Sequence, residues 1–381
     1  MSSSSQLPNG SEGNDLTDHV AGGNSFSEIL SQPECWKACA AYLQEQGTLE
    51  DACRRFSDAE EWLFIGCGSS YYVALCAAAS MTALSSRRAR AVPASEVLLF
   101  PDIVLAGSHR SVPVLISRSG QTSEVLKAAE LLRERAIPTL AISCAPGQKL
   151  EQLASLAILL PAADEKSTVM TRSFTSMLLA LQTLGALLGK NEAVSDSLTT
   201  IGDAAAPELR GLPERIQQFV AQHDFADYVC LGQGPFYGLA SEYALKVTEM
   251  SVSYAQSFHS LEFRHGPKSI VSPQTLLVFL LSESGYAAEC DLLEEMKSLG
   301  GTTLVVANRA DARARRAADI LVELSIDAPE LVRLAPSLVA GQLLGLFTGL
   351  KNGFDPDSPR NLSRAVILED KPSKKPEHAA L

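Results

Sequence analysis

Between an apolar run at 112–116 and a stretch of helical spacing from 124 to 135 lie Ser117-Arg118-Ser119-Gly120-Gln121-Thr122-Ser123. Placed at the carboxyl end of a strand and the amino end of a helix, such a segment offers free backbone N–H groups and a favourable dipole to an anion. One hydroxyl suffices to cap a helix. Four hydroxyls around a glycine suit the many acceptor oxygens of a phosphate better. A second turn, Gly66-Cys67-Gly68-Ser69-Ser70, is glycine-bearing but lacks the dinucleotide pattern, because Tyr71 stands at the third glycine position. No acidic ribose ligand follows at the expected distance either, where the chain reads Ser85-Ser86-Arg87-Arg88. NAD is therefore disfavoured, and Ser69 and Ser70 are read as completing the phosphate cradle. Farther on, Glu242, Lys246 and Glu249 are spaced to share one helix face, as a solvated charge stripe or as proton-transfer groups. Arg264-His265-Gly266-Pro267-Lys268 adds a histidine, either positional or, beside a carboxylate, able to move a proton between the O5 and O1 of a sugar ring.

The elements that would hold these groups alternate. Short β-type runs at 62–65, 112–116, 139–142 and 157–160 are separated by helical stretches, which predicts a parallel sheet covered by helices. The pattern occurs twice. Gly66, Ser117 and Thr139 in the first half are matched at nearly equal spacing by Gly232, Ser282 and Thr303 in the second, an internal duplication. The copies differ in their loops. Ser282-Glu283-Ser284-Gly285-Tyr286-Ala287-Ala288 lacks the hydroxyls of Thr122 and Ser123 and puts Glu283 where the first copy has Arg118. A carboxylate there repels phosphate, so the first loop is expected to bind the anion and the second to be structural. The predicted organisation is a disordered tail over 1–25, domains over 26–205 and 206–355, and a C-terminal segment over 356–381. The helical stretch 178–222, with Pro207 and Pro213, holds the boundary, and an apolar helix over 334–350 closes the second domain.

Composition narrows the partners. Thirty-two basic against 44 acidic residues give a net charge of −12, which disfavours nucleic acid and anionic membrane and favours a small molecule. The eight cysteines form no CxxC pair and no Cys/His cluster of metal spacing, so no metal and reduced, cytoplasmic thiols are expected. The first 25 residues contain no secretory apolar core, and runs such as 276–281 and 366–368 are too short to cross a bilayer.

Together, Ser117-Arg118-Ser119-Gly120-Gln121-Thr122, Ala244-Leu245-Lys246 with Glu249, Glu262-Phe263-Arg264-His265-Gly266-Pro267 and Asp357-Ser358-Pro359-Arg360-Asn361-Leu362 resemble the double-SIS (sugar isomerase) family over residues 26 to about 370. That family includes the isomerase half of glucosamine-6-phosphate synthase, amino-sugar-phosphate deaminases and tagatose-6-phosphate ketose/aldose isomerases. The resemblance implies two tandem flavodoxin-like SIS domains with a C-terminal tail over the site. It implies phosphate ligands at Ser70, Ser117, Arg118, Ser119 and Thr122, a main-chain sugar contact at Val169, and Glu242 and Lys246 lining the pocket. Glu249 would move the proton between C1 and C2. His265 would assist ring opening from the neighbouring subunit, hence a homodimer with shared active sites. No cofactor is implied. The expected substrate is a phosphorylated sugar or amino sugar. Conversion of a hexosamine 6-phosphate to ketose phosphate and ammonia is favoured over plain ketose/aldose isomerisation or a non-catalytic sensor.

Two departures bear on mechanism. The chain begins Met1-Ser2-Ser3, with no room for the synthases' glutaminase domain, so glutamine-dependent amination is not expected. Arg364 stands at the tail position where the synthases have an imine-forming lysine. Arginine stays protonated and cannot form that imine, although it could stabilise an oxyanion.

Overall fold

The computed structural model describes residues 20–107 and 110–368. The first sheet comprises β1 (Glu61–Gly66), β2 (Arg88–Pro93), β3 (Ser111–Ile116), β4 (Leu140–Ser143) and β5 (Leu156–Leu159), in the order β2-β1-β3-β4-β5. The second comprises β6 (Asp227–Gly232), β7 (Ala255–His259), β8 (Thr275–Leu280), β9 (Thr302–Ala307) and β10 (Ile320–Glu323), in the order β10-β9-β8-β6-β7. Read from the other edge, the second order is the first again, and every pairing is parallel. This is the flavodoxin-like order, built twice.

The central strands are apolar after their first residue in β1, β3, β6 and β8 because helices cover both faces; β3 and β8 are buried at every residue. The edge strands β2, Arg-Ala-Arg-Ala-Val-Pro, and β7, Ala-Gln-Ser-Phe-His, escaped sequence reading. Each has a neighbour on one side only and tolerates polar and charged side chains there.

In each half a glycine ends the first strand. A Cβ on Gly66 would lie 2.5 Å from the Ser70 carbonyl, and one on Gly232 would lie 2.3 Å from the Phe236 carbonyl oxygen. Only glycine lets the following helix start this close to the strand end. The helix Phe236–Ser251 then packs along Leu334–Lys351 across the stripe Gly341, Gly345 and Gly349. Side chains on that stripe would strike the Tyr243 ring at 2.3 Å, the Lys246 carbonyl oxygen at 2.7 Å and the Met250 carbonyl oxygen at 2.3 Å. The other flank of Phe236–Ser251 meets the first half's helix Ser69–Ser85, where Gly238 sits against Cys76. One helix of the second half is thus clamped between a core helix and the first half.

One expectation is corrected. The tail predicted over 1–25 is folded from residue 20 on: Gly23–Leu30 is helical and Ser25 is buried, while the remainder of that segment lies outside the described residues. The stretch Glu330–Lys351 is long and apolar enough, by composition, to cross a membrane. Its most apolar window is 94% buried inside the protein, in the core just described.

Candidate active site

The face of Phe236–Ser251 that meets the first half carries Glu242 and Lys246, both with side chains at 0% exposure, and Glu249 at 19%. Ser69, at the first position of its helix, donates to Glu242 Oε1 at 2.9 Å. Lys246 Nζ donates to Glu249, lies 3.3 Å from Glu242 Oε1, and reaches Ser69 Oγ at 3.3 Å. Glu242 Oε2 is buried without a hydrogen-bond partner among the described residues.

Burial pushes the Glu242 carboxyl up to about 8; Lys246 pulls against the rise and the Glu249 charge adds to it. Glu242 therefore gives up its proton at a higher pH than an ordinary carboxyl. Burial also opposes the Lys246 charge, but the two carboxylates outweigh it and raise the ammonium above its ordinary value. The result is a buried cation clamped to the one member of the trio that opens to solvent, Glu249. These charges do not form a solvated stripe.

The loop 117–122 opens the helix Ser123–Glu134. Ser117 Oγ lies 3.2 Å from Thr122 Oγ1, and Ser119 Oγ accepts from Gln121 N at 3.2 Å. Ser119 and Thr122 are partly open to solvent, so their hydroxyls can reach a ligand. Ser70 is buried, its Oγ 3.9 Å from Met170 Sδ, while Ser69 has joined the Glu242–Lys246 group.

Arg118 is not poised on that loop as a phosphate ligand. It is 4% exposed and turns inward: Nη1 lies 3.3 Å from Glu165 Oε2 and donates to Val169 O at 3.0 Å, and Nη2 donates to Thr168 O and Arg364 O at 2.8 Å each. At Val169, where a main-chain sugar contact is expected, the carbonyl is engaged by Arg118 and by Ser167 Oγ. Glu165 is fully enclosed, accepting from Thr171 N and Oγ1 at 2.7 Å each and from Ser173 N at 3.2 Å.

The C-terminal tail runs over this region. Asp357 accepts from Ser25 N at 2.7 Å and from Ser25 Oγ at 2.6 Å. Ser123 N donates to Val366 O at 3.1 Å, and Leu368 N donates to Ser123 Oγ at 2.9 Å. The Arg364 guanidinium is ion-paired with Asp164, so it is not free beside a reacting oxygen.

His265 stands apart. It follows the turn Ser260–Arg264, is exposed, and receives no bond from Glu242, Lys246 or Glu249 among the described residues. Its basic loop is pinned by Glu295, which accepts from Arg264 Nε at 2.7 Å and Lys268 Nζ at 2.8 Å. The sequence reading missed Glu165 and Asp164 as parts of this region, and it counted Ser123 among the loop's hydroxyls without its contacts to the tail. The acids carried no local signal because the arginines they pair with come from distant segments.

The SIS domain model matches residues 55–187 and 228–346. The chain belongs to the SIS-domain family. A glutamine--fructose-6-phosphate aminotransferase [isomerizing] of Pyrobaculum aerophilum is 27% identical to this SIS protein over 359 residues, which are 90% of this chain and 57% of that protein. The chain thus spans little more than half the length of that curated relative. Among solved structures, a glucosamine-6-phosphate deaminase of Thermotoga maritima is 28% identical with a TM-score of 0.74, covering 91% of this SIS protein and 100% of that chain. The tagatose-6-phosphate ketose/aldose isomerase of Escherichia coli is 22% identical with a TM-score of 0.81, covering 93% and 99%.

Proposed function

We propose that this SIS protein converts a hexosamine 6-phosphate to the corresponding ketose 6-phosphate and ammonia. The observation that carries the reading is the Lys246–Glu249 clamp: a buried ammonium fixed against the one carboxylate of the trio that opens to solvent. The 6-phosphate binds at the hydroxyls of Ser119 and Thr122, with Ser117 holding Thr122 in place. With the sugar ring open, Glu249 removes the proton from C2, and the C2–H electron pair forms the C1–C2 double bond of an enolamine. The Lys246 cation favours the charge that develops on O1. Reprotonation at C1 leaves a ketimine at C2, which water hydrolyses to the ketone, releasing ammonia. Glu242, whose carboxyl burial raises above the ordinary range, stands beside Lys246 as a second proton-holding group of the pocket.

His265 opens the ring from the neighbouring subunit of a homodimer. Its exposure and its separation from the trio on its own chain support that part of the reading. The imine-forming step of the synthases has no amine here, since Arg364 occupies that tail position and is paired with Asp164.

An ammonia-release assay over hexosamine and hexose 6-phosphates, run in heavy water, tests the proposal. Ammonia from a hexosamine 6-phosphate, with deuterium at C1 of the ketose, is expected. Aldose–ketose exchange on a hexose 6-phosphate without ammonia release would move the assignment to a plain isomerase. No turnover of any member of the panel would remove the enzymatic reading.

A further inference from the structure

Arg118 interrupts a row of hydroxyls, yet it contributes nothing to the loop's open face. Its backbone carbonyl is anchored within the first half, accepting from Cys144 N at 3.0 Å and Ser143 Oγ at 3.1 Å. Its side chain collects the carbonyls of Thr168, Val169 and, across 246 positions of sequence, Arg364. Buried Glu165 supplies the countercharge. Nearby tail contacts are weaker in kind. Arg364 pairs with Asp164 at a site where both side chains are roughly two-fifths exposed, and Val366 and Leu368 meet Ser123 through two hydrogen bonds. An exposed pair of that sort holds a segment poorly, whereas a buried forked guanidinium fixes two backbone carbonyls at once.

From this geometry we infer that Arg118 is a positioning residue, the buried strap that docks the C-terminal tail at 364–368 on the anion loop. Its backbone belongs to the loop, and its guanidinium joins the 165–169 segment to the tail at Arg364 O. The phosphate hydroxyls on either side of it and the closing segment are therefore set by one residue. The strap shapes the site read above as a sugar-phosphate site and rests on that reading for its catalytic consequence, but tail docking itself can be measured without any substrate.

The experiment uses the full chain and follows tryptic cleavage after Arg364 by intact mass, without ligand. Arg118→Met should accelerate that cut at least tenfold over wild type. Arg118→Lys keeps a charge near Glu165 but has one nitrogen where the guanidinium uses two, Nη1 on Glu165 and Val169 and Nη2 on Thr168 and Arg364; it should also accelerate the cut, and it serves if the methionine variant does not fold. Asp164→Asn, which removes only the exposed pair, should accelerate it less. For glucosamine 6-phosphate, both Arg118 variants should keep affinity within about threefold of wild type while kcat falls at least tenfold, because loss of a closing segment acts on turnover. A chain ending at Leu362 should show the same kcat loss, and adding Arg118→Lys to it should cost nothing more, the non-additivity expected of residues acting through one element.

A tail as protected in Arg118→Lys as in wild type would overturn the strap. So would a tenfold loss of sugar-phosphate affinity with the tail still protected, which would make Arg118 a ligand. Additive losses in the truncated chain would likewise reduce it to a folding residue. If wild type binds no sugar phosphate, the functional reading fails, while the proteolysis arm still judges the strap.

Discussion

The loops after β3 and β8 occupy the same place in two copies of one fold, and they place their charges differently. In the first, Arg118 runs inward to buried Glu165; in the second, Glu283 stays 62% exposed and meets buried Arg333 from the surface. Only the first loop carries a wholly buried ion pair. The open faces differ as well. Ser119 and Thr122 retain partly accessible hydroxyls. In the second loop Glu289 turns back under its own helix start, and its Oε2 accepts from Ser282 N at 2.7 Å and from Ser282 Oγ at 3.0 Å. A carboxylate of the chain thus occupies this helix start. Duplication preserved the strand–loop–helix junction, and the phosphate site proposed above is placed in the copy whose loop hydroxyls stay open.

The largest expected effect tests the division of labour that follows, with phosphate held by the first half and chemistry carried by the second. Glu249→Gln should lower kcat by about a hundredfold to ten-thousandfold and stop deuterium entering the product, while sugar-phosphate affinity stays near wild type. If exchange persists in the variant, another group is the base and Glu242 is the next to remove.

Mixing inactive Glu249→Gln and His265→Ala chains should return measurable activity through hybrid dimers that assemble one intact site. Subunit exchange verified by mass spectrometry, with no activity returned, would assign both residues to one chain.

Ser119→Ala combined with Thr122→Ala should weaken sugar-phosphate binding at least tenfold, about 1.4 kcal/mol. Ser282→Ala combined with Ser284→Ala should leave affinity unchanged, and calorimetry should give one site per chain. A second equivalent of sugar phosphate titrating with wild type would break the contrast between the loops.

A smaller effect concerns pH. Glu242 has its folded value raised to about 8 from an ordinary 4.5, so the stability it contributes is fully present below the ordinary value and is lost as pH rises through about 8. Wild type should lose more thermal stability between pH 5 and pH 9, values spanning that window, than Glu242→Gln, whose amide does not ionise. Parallel melting curves for the two across this range would show that Glu242 is charged throughout.

Much of this was legible because it is periodic or local. The duplication is visible in repeated landmarks, the central strands in apolar runs buried on both faces, and the candidate base in helical spacing along Glu242, Lys246 and Glu249. The edge strands β2 and β7 were not, since one-sided pairing leaves them free to carry polar residues. Nor could spacing decide whether Glu242 and Lys246 faced water. That depended on Gly341, Gly345 and Gly349 drawing their helix against Leu334–Lys351, and on Ser69–Ser85 closing over the other side.

By itself the sequence determined the fold class, the twofold repeat and the inequality of the two loops, because hydrophobic period and hydroxyl content are properties of short segments. Only the tertiary structure decided what each charge does. Arg118, which reads as a phosphate ligand beside its hydroxyl neighbours, is an internal strap because Glu165 and the Arg364 carbonyl reach it from remote parts of the chain. The Glu242 carboxyl is raised because burial removes the water that would otherwise solvate its charge. A side chain's partners and its solvation are set by packing between distant segments, and no local pattern encodes them.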